Sequence, residues 1–360
     1  MAQTLEALCG TLLIGGFHGT EVPAFFAEAL QRGALGGAIL FKRNLTGDPE
    51  HVSALNAALA QAASRDAPPL LAVDQEGGRV ARIKAPALEL PPMLRLASTG
   101  DESLVEEAGH VSAAELVALG VTMNFAPVLA VHTNEANPII GDRAFGTEPE
   151  RAARFALAFA RGMAAGGILA CGKHFPGHGD TTTDSHLELP VVAHDRARLD
   201  RVELLPFRLA AAAGLPAFMP AHVHYPALDD VPATLSHRIA TDLLRGELGY
   251  RGVLISDDLE MKAIASRYGY GEAAVLAVAA GCDALLVCSD EAAIGLALDG
   301  LVARAEKDAT FRARCEQAAG RILAMRRSHA PRPLFGNALH AALATERKTA
   351  LRRRLAEVLP

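Results

Sequence analysis

The architecture of this chain is indicated by one segment, which reads Ile168-Leu169-Ala170-Cys171-Gly172-Lys173-His174-Phe175-Pro176-Gly177-His178-Gly179-Asp180-Thr181-Thr182-Thr183-Asp184-Ser185-His186. A short apolar run passes directly into a polar loop that holds three histidines and two aspartates. Two glycines and a proline in this loop prevent a continuous helix. An apolar strand followed by a polar loop is typical of a rigid scaffold that presents reactive groups at its strand ends.

The same alternation recurs on both sides of this segment. Short apolar runs are followed by longer, Ala-rich amphipathic stretches, which is the pattern of parallel strands joined by crossover helices. The predicted strands are Leu12–Phe17, Gly37–Phe41, Leu70–Asp74, Val121–Ala126, Ile168–His174, Ala217–His222, Gly252–Asp257 and Ala284–Val287. The predicted helices lie near residues 22–32, 49–64, 103–118, 149–166, 198–213, 237–248 and 271–280, with two or three more after the last strand.

Eight strand-and-helix units in roughly 290 residues predict an α/β fold, a single-domain (β/α)8 or TIM barrel, which typically needs about 250 residues. A doubly wound open sheet is the alternative, but no predicted strand is followed by the GxGxxG or GxxxxGKS/T loop that such sheets use for nucleotides. The barrel is expected to span residues 1–325. Residues 326–360 are expected to form a linker and a basic helix, Asn337 to Val358, that packs on the barrel.

Charge and composition exclude several classes of protein. The chain carries 35 basic and 41 acidic residues, a net charge of -6, so no nucleic acid is expected as a partner. Its five cysteines are scattered without a CxxC pair, which favours reduced thiols. No apolar run reaches the roughly 18–20 residues that span a bilayer, and the N-terminus lacks a basic signal-like region. We expect a cytoplasmic protein without a membrane partner, and a monomer or weak homodimer.

Polar residues gather where the predicted strands end. Asp74 closes the third strand, Lys173 and His174 the fifth, His222 the sixth and Asp257 the seventh. In a barrel these ends meet at one face, which is where barrel enzymes keep their sites. A buried charge without a partner costs several kcal/mol, so we interpret these positions as more than packing.

The adjacent carboxylates Asp257 and Asp258 cannot both point into the barrel, because a strand alternates its faces. Val253 and Ile255 share the parity of Asp257. Asp257 is therefore the inward candidate, and Asp258 is expected to cap the next helix. By this argument alone a structural and a functional role for Asp257 remain equally open.

A second candidate is the pair Asp184 and His186. In an extended loop, residues two apart project to the same side, where a carboxylate can select the tautomer of an imidazole and raise its basicity. A histidine that titrates near neutral pH can donate and accept a proton in successive steps. A structural hydrogen bond is the commoner use of such a pair, so the pattern alone leaves both roles open.

Taken together, these residues resemble glycoside hydrolase family 3, in its single-domain β-N-acetylglucosaminidase branch. The resemblance extends in order from about residue 10 to residue 325. The matching motifs are Ala72–Arg82, Asn124–Pro127, Gly141–Phe145, Lys173–Gly179, Asp184–His186 and Ser256–Met261. This chain departs from the family at Ala130 and at Gly15-Gly16, where the family often has aspartates.

The resemblance implies a retaining mechanism without metal or organic cofactor. Asp257 corresponds to the nucleophile that forms a covalent glycosyl-enzyme. His186 occupies the position of the general acid/base, a role that most retaining glycosidases give to a carboxylate, and Asp184 orients it. Gly177 and Gly179 are expected to let the loop swing over bound sugar.

The resemblance also implies which residues bind the sugar hydroxyls: Asp74, Arg82, Arg143, Lys173 and His174, with His222 near the sugar in a less defined role. The expected substrate is a small sugar, namely a muropeptide fragment in which N-acetylglucosamine is linked to 1,6-anhydro-N-acetylmuramic acid. Release of the terminal N-acetylglucosamine from such fragments is a step of cell-wall recycling.

Three alternatives stay open at this stage. A metal-dependent barrel hydrolase is possible because histidines and one aspartate could ligate zinc; these are His174, His178, Asp184, His186, His222 and His224. A barrel that only binds sugar has no need of a nucleophile. A phosphorylase is the closest rival, since a neutral histidine repels phosphate less than a carboxylate does.

Some polar residues have simpler interpretations. His178 is expected to hydrogen-bond the backbone and shape the loop. Glu76 and Arg79 are expected to form a structural ion pair beside Asp74. His194 and His237 lie in polar surroundings and are expected to be solvated.

Overall fold

A closed barrel of eight parallel strands organises the fold in the computed structural model, which describes residues 4–185 and 187–359. The strands are β1 (Leu13–Gly15), β2 (Gly37–Leu40), β3 (Leu70–Val73), β4 (Met123–Asn124), β5 (Leu169–Phe175), β6 (Ala217–Pro220), β7 (Val253–Asp258) and β8 (Ala284–Val287). Each strand pairs with the next in the chain, and β8 pairs with β1. All eight predicted strands are present, so the predicted (β/α)8 barrel is confirmed.

Helices surround the barrel. They are α1 (Leu5–Gly10), α2 (Ala24–Gln31), α3 (Pro49–Ala62), α4 (Met93–Ser98), α5 (Glu102–Ala118), α6 (Pro149–Ala165), α7 (Arg196–Arg201), α8 (Leu205–Ala212), α9 (Lys262–Ala265), α10 (Tyr270–Ala280), α11 (Glu291–Lys307), α12 (Ala309–Ser328), α13 (Gly336–Leu343) and α14 (Glu346–Val358). Short 3-10 turns cover Lys42–Asn44, Gly141–Arg143 and Ala233–Leu235, and Arg238–Glu247 is π-helical. Within the described ranges, no helix combines the length and apolarity that crossing a bilayer requires.

Three helical predictions need correction. The stretch 198–213 contains two helices, α7 and α8, because Val202 leaves the helical path and Pro206 begins a new first turn. The terminal helix predicted from Asn337 to Val358 is also two helices, so four helices rather than two or three follow β8. The predicted linker starts too early, since α12 continues through Ser328. The division of the chain at residue 325 stays a prediction.

One face of every strand fills the barrel. The enclosed side chains alternate along the strands, as the period of two requires. They are Ile14, Ile39, Leu70, Ala72, Met123, Phe125, Leu169, Cys171, Ala217, Met219, Val253, Ile255, Ala284 and Leu286. The other face packs on the helices, as Leu71, Val73 and Leu254 do. The barrel is therefore a packed core that is open to ligands only beyond the last layer of side chains.

The C-terminal helices pack on the outside of the barrel against α3 and α5. Lys348 of α14 forms a buried ion pair with Glu115 of α5, at 2.6 Å, and its Nζ also donates to the Leu343 carbonyl at 2.7 Å. The other oxygen of Glu115 accepts from the Leu88 backbone N–H at 2.6 Å. The terminal segment thereby anchors the loop that leads into α4.

Asp283, immediately before β8, has no accessible side-chain surface and joins the strands to α12. Its carboxylate lies 2.6 Å from Arg245, 2.9 Å from Arg314 and 3.1 Å from Arg321, and it accepts from the backbone N–H of Leu254 in β7 at 3.1 Å. Two of these arginines lie on α12, so this helix crosses the end of the barrel where the strands begin.

We predict that Asp283→Ala lowers the free energy of unfolding by about 3–5 kcal/mol, since it leaves buried guanidinium groups without their counter-charge. Urea denaturation followed by circular dichroism measures this change. Glu316→Ala is the control, because its pair with Arg312 is about half exposed and should be worth less than about 1 kcal/mol. Equal losses in the two variants would contradict the prediction.

Candidate active site

The alternation that fills the barrel continues into its mouth. Asp74, Lys173, Asp257 and Cys288 follow the inward-facing residues of β3, β5, β7 and β8 at the same parity, and all four line one cavity. The inward orientation predicted for Asp257 is therefore confirmed. The cavity measures about 330 Å³, which lies near the lower limit for small-molecule sites and suits a single sugar unit.

The floor of the cavity is a cluster of charged residues centred on Lys173. Its ammonium group is 3% exposed and lies 2.7 Å from Asp74 Oδ1 and 2.6 Å from Glu76 Oε1. The second oxygen of Asp74 pairs with Arg82 Nη2 at 3.3 Å. Lys173 thereby joins β5 to β3 across the mouth of the barrel, and one of its three N–H donors remains for a ligand.

Glu76 is a central residue that the sequence analysis did not assign to the site. It receives two parallel bonds of 2.8 Å from Nε and Nη2 of Arg143, whose Nη1 also donates to the Ile139 carbonyl at 2.9 Å. The predicted Glu76–Arg79 pair is wrong, because Arg79 instead contacts Asp142 at 3.2 Å. The sequence contained one indication of this role: Glu76 follows Asp74 by two positions and so shares the parity that faces the cavity.

The ionisation of this cluster follows from its pairing. Burial opposes charge on Asp74, but Lys173 and Arg82 overcome that effect and hold its pKa at about 2. Burial acts in the same way on Glu76, and Arg143 and Lys173 again lower the pKa below its usual range. The pKa of Lys173 is raised, since the two carboxylates outweigh its burial. The floor is therefore ionised at neutral pH and offers fixed donors and acceptors to hydroxyl groups.

Asp257 and Asp258 both line the cavity, so the prediction that only one of them points inward is wrong. The pairing of β7 with β8 shifts register after Ile255 and brings Asp258 beside the inward-facing Leu286. The two carboxylates differ in their partners. Asp257 Oδ1 accepts from the Asp258 backbone N–H at 2.8 Å. Asp258 Oδ1 accepts from the backbone N–H of Glu260 at 3.0 Å and of Cys288 at 3.3 Å. The predicted helix cap is wrong, because α9 starts at Lys262 without a side-chain cap. Asp258 instead ties the end of β7 to the end of β8.

The loop after β5 is held by hydroxyl and amide contacts. His178 bonds to the Thr181 hydroxyl through Nδ1 at 2.8 Å and to the Ser185 hydroxyl through Nε2 at 3.2 Å. Asn137, from the loop after β4, donates 2.9 Å bonds to the carbonyls of His178 and Thr181. Burial lowers the pKa of His178 to about 4, so the ring is neutral at physiological pH. It shapes the loop as predicted, but through hydroxyls rather than the backbone.

The two glycines of this loop are explained by close packing. A Cβ on Gly179 would lie 1.6 Å from the Val131 carbonyl oxygen, and one on Gly177 would lie 2.9 Å from Glu203 Cβ. Gly177 also adopts φ +140°, which side chains rarely tolerate. The Tyr225 hydroxyl donates to the Gly177 carbonyl at 2.6 Å. These contacts give both glycines a packing role, and the predicted swing of the loop stays a prediction.

The structure separates the two candidate histidines at the strand ends. His174 lines the cavity, with its ring edge-on to His178 at 5.7 Å between centroids. His222 has no accessible surface, and its ring nitrogens lie 2.8 Å from the Thr234 hydroxyl and 2.9 Å from the Asp258 carbonyl oxygen. The predicted place of His222 near the sugar stays a prediction, and in the structure its enclosed ring bonds to the end of β7.

The remaining predicted site residues divide into two groups. Asp184 lines the cavity, whereas His186 lies outside the described residues. Among the residues that are described, no group of three or more His, Cys, Asp and Glu side chains is arranged to hold a metal ion. The apolar part of the wall includes three residues that sequence analysis did not assign: Phe41, Ile139 and Met261.

A second cavity, of about 340 Å³, lies beside the mouth and shares Arg82 with it. Lys42, Lys84 and apolar side chains such as Leu343 line it, and its described lining includes neither a carboxylate nor an imidazole. Of these two cavities, the barrel mouth is the one whose described lining contains carboxylates and imidazoles.

Comparison with known proteins identifies the relatives of this chain. The family model for the glycosyl hydrolase family 3 N-terminal domain matches residues 15–325. A β-hexosaminidase of Tolumonas auensis is 43% identical over 287 residues, which cover 79% of this chain and 84% of that protein. A β-hexosaminidase of Pseudomonas aeruginosa is 44% identical over 296 residues, which cover 81% and 86%.

Solved structures resemble the whole barrel. A glycoside hydrolase family 3 β-N-acetylglucosaminidase from Paenibacillus sp. has a TM-score of 0.93 at 42% identity and covers 99% of this chain and 69% of its own. NagZ from Neisseria gonorrhoeae, solved in complex with N-trifluoroacetyl-D-glucosamine, has a TM-score of 0.82 at 33% identity, with coverage of 97% and 98%.

The raised pKa of Asp258 predicts that the stability of the protein depends on pH. Burial raises this pKa to about 7, with the charges of Glu260 and Asp257 adding to this effect against the bond from the Glu260 N–H. The folded protein therefore binds this proton more tightly than the unfolded chain, so stability falls as pH rises from about 4 to 7. We expect Asp258→Asn to remove this loss, with an advantage on the order of a few kcal/mol at pH 8 that shrinks towards pH 4.

Thermal unfolding of both proteins from pH 4 to pH 8 measures this difference. Asp299→Ala on the exposed face of α11 should leave the pH dependence of the wild type unchanged. An Asp258→Asn advantage that is constant with pH would contradict the raised pKa.

Proposed function

We propose that this chain, which belongs to glycosyl hydrolase family 3, releases terminal β-linked N-acetylglucosamine by a retaining double displacement. The chain is a glycoside hydrolase with β-N-acetylhexosaminidase activity. The retaining mechanism, the roles of the residues and the natural substrate are the parts that we propose.

One observation carries the proposal: Asp257 shares a cavity of single-sugar size with an ionised floor of Asp74, Lys173, Glu76 and Arg143. Such a floor can hold the hydroxyls of one sugar ring in a fixed orientation. A nucleophile at the edge of that floor is positioned for attack on the anomeric carbon. A pocket whose volume suits one ring also favours removal of a terminal sugar over cleavage inside a chain.

The reaction follows in two steps. The Asp257 carboxylate forms a bond to the anomeric carbon as the glycosidic C–O bond breaks, and the departing oxygen takes a proton from the His186 imidazolium. Water then gives a proton to the His186 imidazole and attacks the anomeric carbon, which releases Asp257. Asp184 is assigned to orient His186. Two displacements at one carbon retain its configuration.

Recognition of the sugar falls to the charged floor and its neighbours. Asp74 has acceptor sites free beside its bonds to Lys173 and Arg82, and these cations retain unused N–H donors. We assign hydroxyl binding to these three residues, to Arg143 and to His174. A site built to bond hydroxyls discriminates strongly against sugars that lack them, because its buried polar groups would be left unpaired.

The natural substrate that we propose is the disaccharide of N-acetylglucosamine and 1,6-anhydro-N-acetylmuramic acid, free or carrying peptide. The resemblance to the β-N-acetylglucosaminidase branch supports this choice, and with it a place in cell-wall recycling in the cytoplasm. NagZ from Neisseria gonorrhoeae, whose structure is similar to this one, was solved in complex with N-trifluoroacetyl-D-glucosamine. That complex supports our proposal that a hexosamine occupies the cavity.

The first experiment compares aryl β-N-acetylglucosaminide with aryl β-glucoside as substrates of the purified protein. We expect the former to be hydrolysed much faster. Added inorganic phosphate should leave the rate unchanged, since acceleration with formation of a sugar 1-phosphate would indicate a phosphorylase. Loss of activity on chelation would instead support a metal-dependent hydrolase.

Replacing the proposed nucleophile should abolish turnover without unfolding the protein. We predict that Asp257→Ala lowers kcat by on the order of 10³-fold or more, while Asp299→Ala on the exposed face of α11 leaves it unchanged. A 2-fluoro sugar should form a stable adduct with the wild type that mass spectrometry maps to Asp257. An adduct on another carboxylate would refute the assignment.

Replacing the proposed acid should affect substrates according to their leaving groups. We predict that His186→Ala slows substrates with poor leaving groups by about 10²–10⁴-fold. Activated aryl glycosides should lose far less, because their departing oxygen needs little protonation. Steady-state kinetics on a series of aryl β-N-acetylglucosaminides measures the difference. Equal losses across the series would count against His186 as the acid.

A further inference from the structure

The loop that carries Asp184 is closed by a pair of side chains at its two ends. Asp180 and His194 lie fourteen positions apart, and Asp180 Oδ2 lies 2.6 Å from His194 Nε2. We call this pair the loop clasp. His194 was expected to be solvated, yet its ring is only 32% exposed and Asp180 is 25% exposed.

The first half of the clasp is attached to the loop after β4. The second oxygen of Asp180 accepts from the Thr133 hydroxyl at 3.0 Å, and its carbonyl accepts from Asn134 Nδ2 at 3.4 Å. Asp180 therefore bonds to two loops at once, and it holds the start of the segment in place.

The second half of the clasp lies between two ordered segments. Val192, two residues before His194, donates to the His224 carbonyl at 2.9 Å, and the His224 N–H donates to the Pro190 carbonyl at 2.9 Å. Asp195, directly after His194, caps α7 by accepting from the Arg198 N–H. His194 thus emerges from backbone that is fixed on both sides.

Parts of the segment between the two halves are exposed to solvent. Leu187 is 67% exposed and Val191 is 50% exposed. The Asp184 carbonyl accepts from the N–H groups of Leu187 and Glu188, which forms a local turn. Ser185 is held by His178 and by the Ala263 N–H. The clasp connects the end of this segment, through Asp180, to the loop after β4.

We propose that Asp180 and His194 are positioning residues for Asp184, and that their bond sets the geometry of proton transfer to the departing oxygen. This inference rests on the proposed function, in which Asp184 orients the acid. The imidazole can donate from Nε2 to the carboxylate in its neutral and in its protonated form. The bond is short, as charge-assisted bonds are.

The size of the expected effects distinguishes a positioning role from a purely stabilising one. A partly exposed pair of this kind contributes little to the stability of the fold. In contrast, a displacement of about 1 Å at a catalytic group can cost about 10²-fold in rate. Loss of the clasp should therefore change the chemistry of the loop much more than the stability of the barrel.

The test compares His194→Ala with His194→Gln, whose side-chain amide can still donate to Asp180. The chain offers a matched control in His237→Ala, since His237 lies 3.5 Å from Asp242 on the exposed surface. The substrates are phenyl β-N-acetylglucosaminide, with a poor leaving group, and the 2,4-dinitrophenyl compound, with a good one. Melting temperature is measured in parallel.

We expect His194→Ala to lower kcat/KM on the phenyl substrate by at least about tenfold and to change the dinitrophenyl value little. His194→Gln should recover much of the loss, and His237→Ala should match the wild type. In a double-mutant cycle, Asp180→Ala combined with His194→Ala should cost little more than either alone, because the two residues act as one unit. Amide hydrogen exchange at residues 181–185 should quicken in His194→Ala and not in His237→Ala.

Equal losses on both substrates with a lower melting temperature would overturn the proposal, since they indicate general destabilisation. A His194→Ala variant that matches His237→Ala in kinetics and exchange would overturn it too, and would leave the proposed hydrolase standing. A wild-type protein that hydrolyses neither substrate would instead refute the proposed function.

Discussion

The arrangement of the site depends on one interaction, in which the buried ammonium group of Lys173 is paired with two carboxylates. The Lys173 ammonium group is almost fully enclosed, and Asp74 and Glu76 lie within 2.7 Å of it. Without such partners an enclosed ammonium costs several kcal/mol. The strands β3 and β5 and the turn after β3 must therefore adopt the arrangement that brings these groups together. Glu76 then fixes Arg143, and Asp74 fixes Arg82.

This cluster organises the cavity before any sugar enters it. Its donors and acceptors are held by one another, so binding requires little rearrangement of the protein. Counting Asp257, the three carboxylates of the cluster balance the cations of Lys173, Arg82 and Arg143. A neutral total suits a ligand that carries hydroxyls rather than charge.

The loops after β4 and β5 complete the mouth by interlocking. Asn137 bonds to the carbonyls of the second loop, and the Gly179 backbone approaches the Val131 carbonyl so closely that no side chain fits between them. The two loops therefore behave as one unit at their base. Leu187 and Val191 of the second loop are exposed, so a loop that handles protons needs an anchor of its own near them. The Asp180–His194 bond provides it.

The sequence by itself determined the barrel and the direction of its inward side chains. Alternation with a period of two is a local property of a strand, so the eight apolar runs predicted all eight strands, and the parity of Val253 and Ile255 predicted that Asp257 faces the cavity. The charged strand ends Asp74 and Lys173 were predicted on the same grounds. His174 was a candidate as a strand end and Asp184 through its spacing from His186, and the family resemblance added Arg82 and Arg143; all four line the cavity.

Only the tertiary structure decided which residues meet. Glu76 bonds to Arg143, 67 positions away, rather than to its neighbour Arg79, and His222 bonds to the carbonyl of Asp258, 36 positions away, rather than lining the cavity. A periodic pattern gives the face on which a side chain lies but not the group that lies opposite. That partner depends on the closure of the barrel and on the course of its loops, which is why the glycines of the β5 loop and the role of Asp258 became clear only in three dimensions.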